Sequence, residues 1–293
     1  MKIRSIIFLL FALVLVASVK SESDYVQSIV KWRSDEEADL KKENGWLTLV
    51  GLFWLKDGVN TIGAGSTFDV RLTDNFKEGK FGEIEFKNGV ATLRVEKGIE
   101  ALSEGQPVST IALHSDDKGK PTEIQTGSQR FYLIQRDDRF GIRLKDSQSK
   151  ARVTFKGQQW FPIDESYKVD ATLDAYPEPK EVMVPNVLGG HFKMKSPGIL
   201  KFSLKGKDYS LQPVNEDDGS LFLIFRDASN STATDETGRF LYAEKAVNGK
   251  TVLDFNKAEN PPCAFTPFAT CPLAPPGNEL QVAISAGEKR YQP

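Results

Sequence analysis

From Val59 onward the chain alternates apolar and polar residues in short runs separated by turn residues. GEIEFK and VATLRVE flank Asn88-Gly89, RFYLIQR and RFGIRLK flank Asp137-Asp138, and ARVTFKG follows. The second half continues with YKVDATLDAY, KEVMVPNV, GILKFSLKG, YSLQPV, LFLIFRD, RFLYAEKA, KTVLDFN and ELQVAIS, with Asn248-Gly249 joining RFLYAEKA to KTVLDFN as a further hairpin. A period of two sends one face of a strand to the core and the other to water, and Asn-Gly accepts the left-handed backbone of a tight hairpin. Strands separated by turns, with no helical period between them, predict an all-β protein. The expected order is an N-terminal helix, a β-sandwich, and then an antiparallel β-barrel or sandwich. The boundary is placed near Gly157, where Trp160-Phe161-Pro162 opens a new pattern.

Only the start of the chain departs from this rhythm. Asp24 to Glu43 carries Val26, Ile29, Val30 and Leu40 near one face of a helix, with Ser34 and Glu37 at capping-box spacing, so a break is expected there. GWLTLVGLFWLKDG, Gly45 to Gly58, is apolar without a period, which suits a buried strand or a short buried helix, and Trp46 and Trp54 are expected in the core. Before the helix, Lys2 and Arg4 precede the apolar run Ile6 to Ala17, and small and polar residues follow. That order reads as a secretory leader, too short to span a bilayer comfortably. The expected layout is 1–21 signal peptide, 22–45 helix, 46–157 first sandwich and 158–293 second β domain. The mature chain is expected to be exported, periplasmic or secreted, with no integral membrane segment.

Composition narrows the partners. Lys and Arg total 38 against 40 Asp and Glu, a net charge of −2, which excludes the basic field that a nucleic-acid backbone requires. Export changes the meaning of the two cysteines, Cys263 and Cys271, which sit among Pro261, Pro262, Pro267 and Pro272. Proline bars both helix and central strand, so this apolar stretch is expected to pack as an irregular clamp across the end of the second domain. In an oxidising compartment the two thiols are expected to form a disulfide. The alternative is a thiol or zinc site with His114 and His191. The ligand spacing does not fit structural zinc, so no metal or cofactor is expected.

WLTLVGLFWL, WFP at Trp160 to Pro162, and FNKAENPPCAFTPFATCPLAPPGNELQVAISAGE together resemble a prokaryotic family, the domain of unknown function numbered sixteen eighty-four. The resemblance covers nearly all of the mature chain and implies no assigned reaction. A second resemblance, over about Val59 to Lys156, is to forkhead-associated sandwiches. It rests on Ile62-Gly63, Asp69-Val70-Arg71-Leu72 and, less closely, Gly105-Gln106-Pro107-Val108. Ala64 stands where that family's phosphate-reading arginine would be, so the resemblance implies the sandwich and not phosphopeptide binding.

The remaining chemistry lies in charged or amide residues within apolar strands. Arg226, Arg239, Asp254, Asn256 and Asn260 are expected at the mouth of the second domain, with His191 beside Gly189-Gly190 as a weaker addition. These six are the candidate ligand-binding residues. The competing reading is a buried structural bridge from Arg226 or Arg239 to Asp254. There is no G-x-S-x-G, so a serine nucleophile has no support. Three functions follow: a binding protein for a small or extended ligand, a cell-envelope hydrolase using carboxylates or His191, and a structural module docking a protein partner.

Overall fold

The structure, a computed structural model, describes residues 24–77 and 79–292; the leader expected over 1–21 lies outside them. Residues 24–40 form one unbroken helix, α1. Its expected break at Ser34 does not occur, because the turns on either side continue the same hydrogen-bond ladder. Ile29 and Leu40 are buried, while Val26 and Val30 stay exposed.

The first half is a two-sheet sandwich. Its strands are β1 (Leu49–Trp54), β2 (Gly58–Ala64), β3 (Val70–Leu72), β4 (Lys80–Lys87), β5 (Val90–Val95), β6 (Leu102–Ser103), β7 (Gln106–Pro107), β8 (Thr110–Leu113), β9 (Glu123–Thr126), β10 (Gln129–Arg136) and β11 (Arg139–Asp146). One sheet runs β3-β2-β4-β5-β8 and the other β1-β11-β10-β9-β6-β7. Ile62, Phe81, Ile84 and Leu93 of the first meet Ile124, Phe131, Leu133 and Ile142 of the second in one core. The β4–β5 hairpin turns where expected, with φ of 51° at Asn88 and 76° at Gly89. A short helix, α2 (Lys150–Val153), is capped by Ser149 and leads out of this half.

The second half contains β12 (Lys168–Pro185), β13 (His191–Leu204), β14 (Lys207–Leu211), β15 (Val214–Asn215), β16 (Leu221–Asp227), β17 (Arg239–Ala243), β18 (Lys250–Asp254) and β19 (Glu279–Leu280). They make two sheets, β14-β13-β12-β18 and β15-β16-β17, with β19 added parallel to β16. Among the described residues no sheet closes on itself, so of the two forms expected for this half the barrel does not occur. YKVDATLDAY and KEVMVPNV merge into the single long β12, with a register shift between Ala175 and Lys180. The turn at Asn248-Gly249 forms, but it does not make a hairpin sheet: β18 pairs β12 in the other sheet. The edge of β17 is occupied instead by Glu259, whose backbone exchanges two hydrogen bonds with Phe240 at 2.9 and 3.0 Å.

The unbroken apolar run LFLIF follows from β16 being covered on both faces. Leu221, Leu223 and Phe225 enter the core between the two sheets. Phe222 and Ile224 face outward and are covered by Val184, Phe240, Ala269, Cys271 and, from the first half, Leu49. The proline-rich clamp therefore lies over a sheet face, between the halves, and not across a barrel end. Cys263 and Cys271 are bonded to each other with Cα atoms 6.2 Å apart. Thr266 Oγ1 donates to the Leu49 carbonyl at 2.9 Å, fixing the clamp to β1.

Candidate functional site

The six residues singled out by sequence do not line one open mouth. Arg239 is fully buried: it pairs with Asp227 at 3.3 Å and donates to the carbonyls of Ile284 (3.1 Å) and Ala286. The bridge to Asp254 is thus replaced by one to Asp227, because Arg239 and Asp227 face the same core from paired strands. Asp254 instead accepts from the Tyr25 hydroxyl at 3.0 Å on each oxygen and caps Asn256 N at 3.1 Å. Asn256, also fully buried, donates to Tyr25 Oη (3.0 Å) and the Asp164 carbonyl (2.8 Å) and accepts from Asp164 N (3.0 Å). This pair binds α1 to the second half. Asn260 is held by Glu288: its N–H donates to Glu288 Oε2 at 2.8 Å, and its Nδ2 donates to the Lys289 carbonyl at 2.8 Å. Arg226 is half-buried and donates to the Glu236 carbonyl at 2.6 Å, and His191 is exposed at the start of β13.

A cleft lies elsewhere, where the halves meet. It holds a cavity of about 330 Å³ walled by Trp46, Phe192, Phe222, Phe240 and Tyr242, with Arg136, Arg143, Glu259 and Thr270 also facing it. Phe222 stacks on Tyr242 (4.8 Å, 11°) and meets Phe240 edge-on (4.9 Å, 88°). Trp46 and Tyr242 form the rim, 37% and 48% exposed. Trp46 is therefore not the core residue expected from its apolar run. The turn Trp46–Thr48 that precedes β1 buries Leu47 and Thr48 and leaves the indole outside.

Two arginines converge on one hydroxyl in this cleft. Arg136 Nε and Arg143 Nη2 both donate to Thr270 Oγ1, at 2.9 and 3.0 Å. Arg136 is neutralised by a two-pronged pairing with Asp116 at 3.0 and 2.8 Å. Arg143 is not: only 4% exposed, it has no acidic partner among the described residues, and its Nε has no hydrogen-bond acceptor. Its guanidinium lies beside the rings of Trp46 (5.8 Å) and Tyr132 (6.0 Å). Two residues along the same strand, Lys145 donates to the Asn44 carbonyl, and burial, then Arg143, lowers its pKa.

The opposite side is acidic. A second cavity, of about 370 Å³, shares Trp46, Glu259 and Pro262 with the first and adds Glu36, Lys145, Asn260 and Glu288. Glu36 and Glu259 both face this cavity. Burial raises both pKa values, most at Glu259, where Glu36 and Glu288 add to it. Glu288, 1% exposed, is pushed up to about 7 by burial, against the lowering effect of Asn260, Gln158 and Arg239. Its Oε1 has no partner, nor do Asn260 Oδ1 and Gln158 Oε1 beside it. None of the described residues group as His, Cys, Asp and Glu ligands around a metal position. In sequence, Arg143 reads as an ordinary polar position of RFGIRLK, and Glu259 as one of 40 acids. Only the burial imposed by the clamp sets them apart.

The fold and the cleft define a mostly antiparallel β protein with a charged, aromatic-walled groove between two sandwiches. Residues 153–289 match the model of the family described as "Protein of unknown function (DUF1684)". No curated protein matches the chain. Among solved structures, the chain is similar to an uncharacterised protein of Haloarcula marismortui determined by solution NMR. The identity is 28%, over 47% of this chain and 78% of that one, with a TM-score of 0.40.

Proposed function

We propose that the protein binds a small organic anion with a flat apolar body in the cleft between its halves. The supporting observation is Arg143, a buried guanidinium with a free N–H, facing a cavity and lacking a counter-ion. A buried charge is normally paired, because its desolvation is otherwise uncompensated. An anion on Arg143 would supply that pair, and Trp46 and Tyr242 would stack on the apolar body. This keeps the binding function expected from sequence but moves it from Arg226, Arg239, Asp254, Asn256, Asn260 and His191 to the cleft. Export is supported by the disulfide, and no helix among the described residues is long and apolar enough to cross a membrane.

Thermal shift and calorimetry with benzoate and phenyl phosphate test this reading. Binding is expected, with Arg143→Gln weakening it roughly 10- to 100-fold, the worth of one charge-assisted contact. The reading fails if neither anion binds, or if binding is indifferent to Arg143→Gln and Trp46→Ala alike. A hydrolase is the second reading, favoured by the Glu36 and Glu259 carboxyls facing one cavity, residue types that serve as general acid and base. An ester and glycoside screen that stays blank would reject it.

A further inference from the structure

We propose that the ligand of this cleft is dipolar, an organic anion that also carries an ammonium group. Its anion would lie on Arg143 and its ammonium on Glu36 and Glu259. This rests on the anion-binding reading and adds the second charge.

The first cavity carries Arg143, the second carries Glu36 and Lys145, and Glu259 borders both. Arg143 and Lys145 alternate on β11, so both leave the same face of the sheet while Leu144 between them enters the core. Glu36 comes from α1. Glu259 is held rigidly by its two backbone hydrogen bonds to Phe240. Among the described residues, none of the four has an ion-pair partner within 4 Å, although exposed lysines elsewhere pair freely with acids. Two carboxylates held together in a desolvated groove destabilise each other, and a buried guanidinium without a counter-ion is uncompensated as well. An anion alone would relieve only one side. A molecule bearing both charges relieves both, with Trp46, which borders both cavities, beneath its body. Asn260 Oδ1, buried without a donor on the acidic side, offers a further acceptor for an ammonium N–H. The same acceptors favour a primary ammonium over a quaternary one, which has no N–H to give.

Isothermal titration of the full chain with 4-(aminomethyl)benzoate, benzoate and benzylamine separates the possibilities. The dipolar probe is expected to bind at least 10-fold more tightly than either single-ended one. Glu259→Gln should abolish that advantage, and Arg143→Gln should weaken both acids. If benzoate binds as tightly as the dipolar probe and depends on Arg143, the dipolar ligand is wrong and the anion site stands. If no probe binds, both fall. Should Glu259→Gln not fold, Glu36→Gln on the half-buried face of α1 gives the same comparison.

Discussion

Replacing Glu288 by Gln should remove much of the pH dependence of stability between pH 5 and pH 8. Glu288 lies in the strap that returns over the clamp, and its Oε2 accepts from Asn260 N at 2.8 Å. Its other oxygen, Asn260 Oδ1 and Gln158 Oε1 are three acceptors with no donor. Burial disfavours the ionised carboxylate and pushes the Glu288 pKa up to about 7 from an ordinary value of 4.5, and the proton it then carries turns one of those acceptors into a donor. An acid whose pKa is raised by folding binds its proton more tightly in the native state. Its stabilisation is complete below about pH 4.5, falls as pH climbs from there to about 7, and is flat above. At 1.36 kcal/mol for each pH unit, the loss is about 3 kcal/mol. Gln keeps the shape, accepts from Asn260 N and supplies the missing N–H at every pH. Urea unfolding at pH 5 and pH 8 should therefore show the variant about 3 kcal/mol more stable than the parent at pH 8 and close to it at pH 5. Glu259 and Glu36 contribute with the same sign and remain, so the variant keeps a smaller slope. Equal losses for both proteins between the two pH values would refute the reasoning.

Three further changes separate framework from site. Arg239→Met should destabilise by roughly 3–5 kcal/mol in urea unfolding, because Asp227 is left buried without its cation. Arg143→Met should instead leave the ligand-free protein as stable or about 1 kcal/mol more stable, while abolishing benzoate binding, since it replaces a buried charge that has no acidic partner among the described residues and is held only by hydroxyls such as that of Thr270; a large destabilisation would mean Arg143 is framework too. Cys263→Ser with Cys271→Ser should lower stability by about 2–3 kcal/mol, the chain-entropy value for so short a loop, and reduction of the parent should reproduce the loss.

The NPPCAFTPFATCPL run does act as a clamp, and its bridge is the one the cysteine count and export implied. Its position was not legible, because proline says where a strand ends and not what the following loop lies on. Asn256 and Asp254 stand out in sequence as polar residues of an apolar strand, yet they are consumed in docking Tyr25 and α1. A polar residue in an apolar strand has the same appearance whether its partner is protein or ligand. Trp46 misled in the other direction, since an apolar neighbourhood in sequence says nothing about which way one turn points an indole.

Local chemistry was enough to determine the alternation of strands, the left-handed turns at Asn88-Gly89 and Asn248-Gly249, the helix at the start and the pairing of two lone cysteines. These depend on residues within a few positions of one another. The sheet that each strand joins after its turn was decided in three dimensions, as β18 shows by leaving β17 for β12. So was the cleft. Trp46, Arg143, Glu259 and Thr270 come from separate parts of the chain, and each is unremarkable until packing removes water from around it. Desolvation, which makes an ordinary strand arginine into an uncompensated charge, is a property of the assembled halves alone.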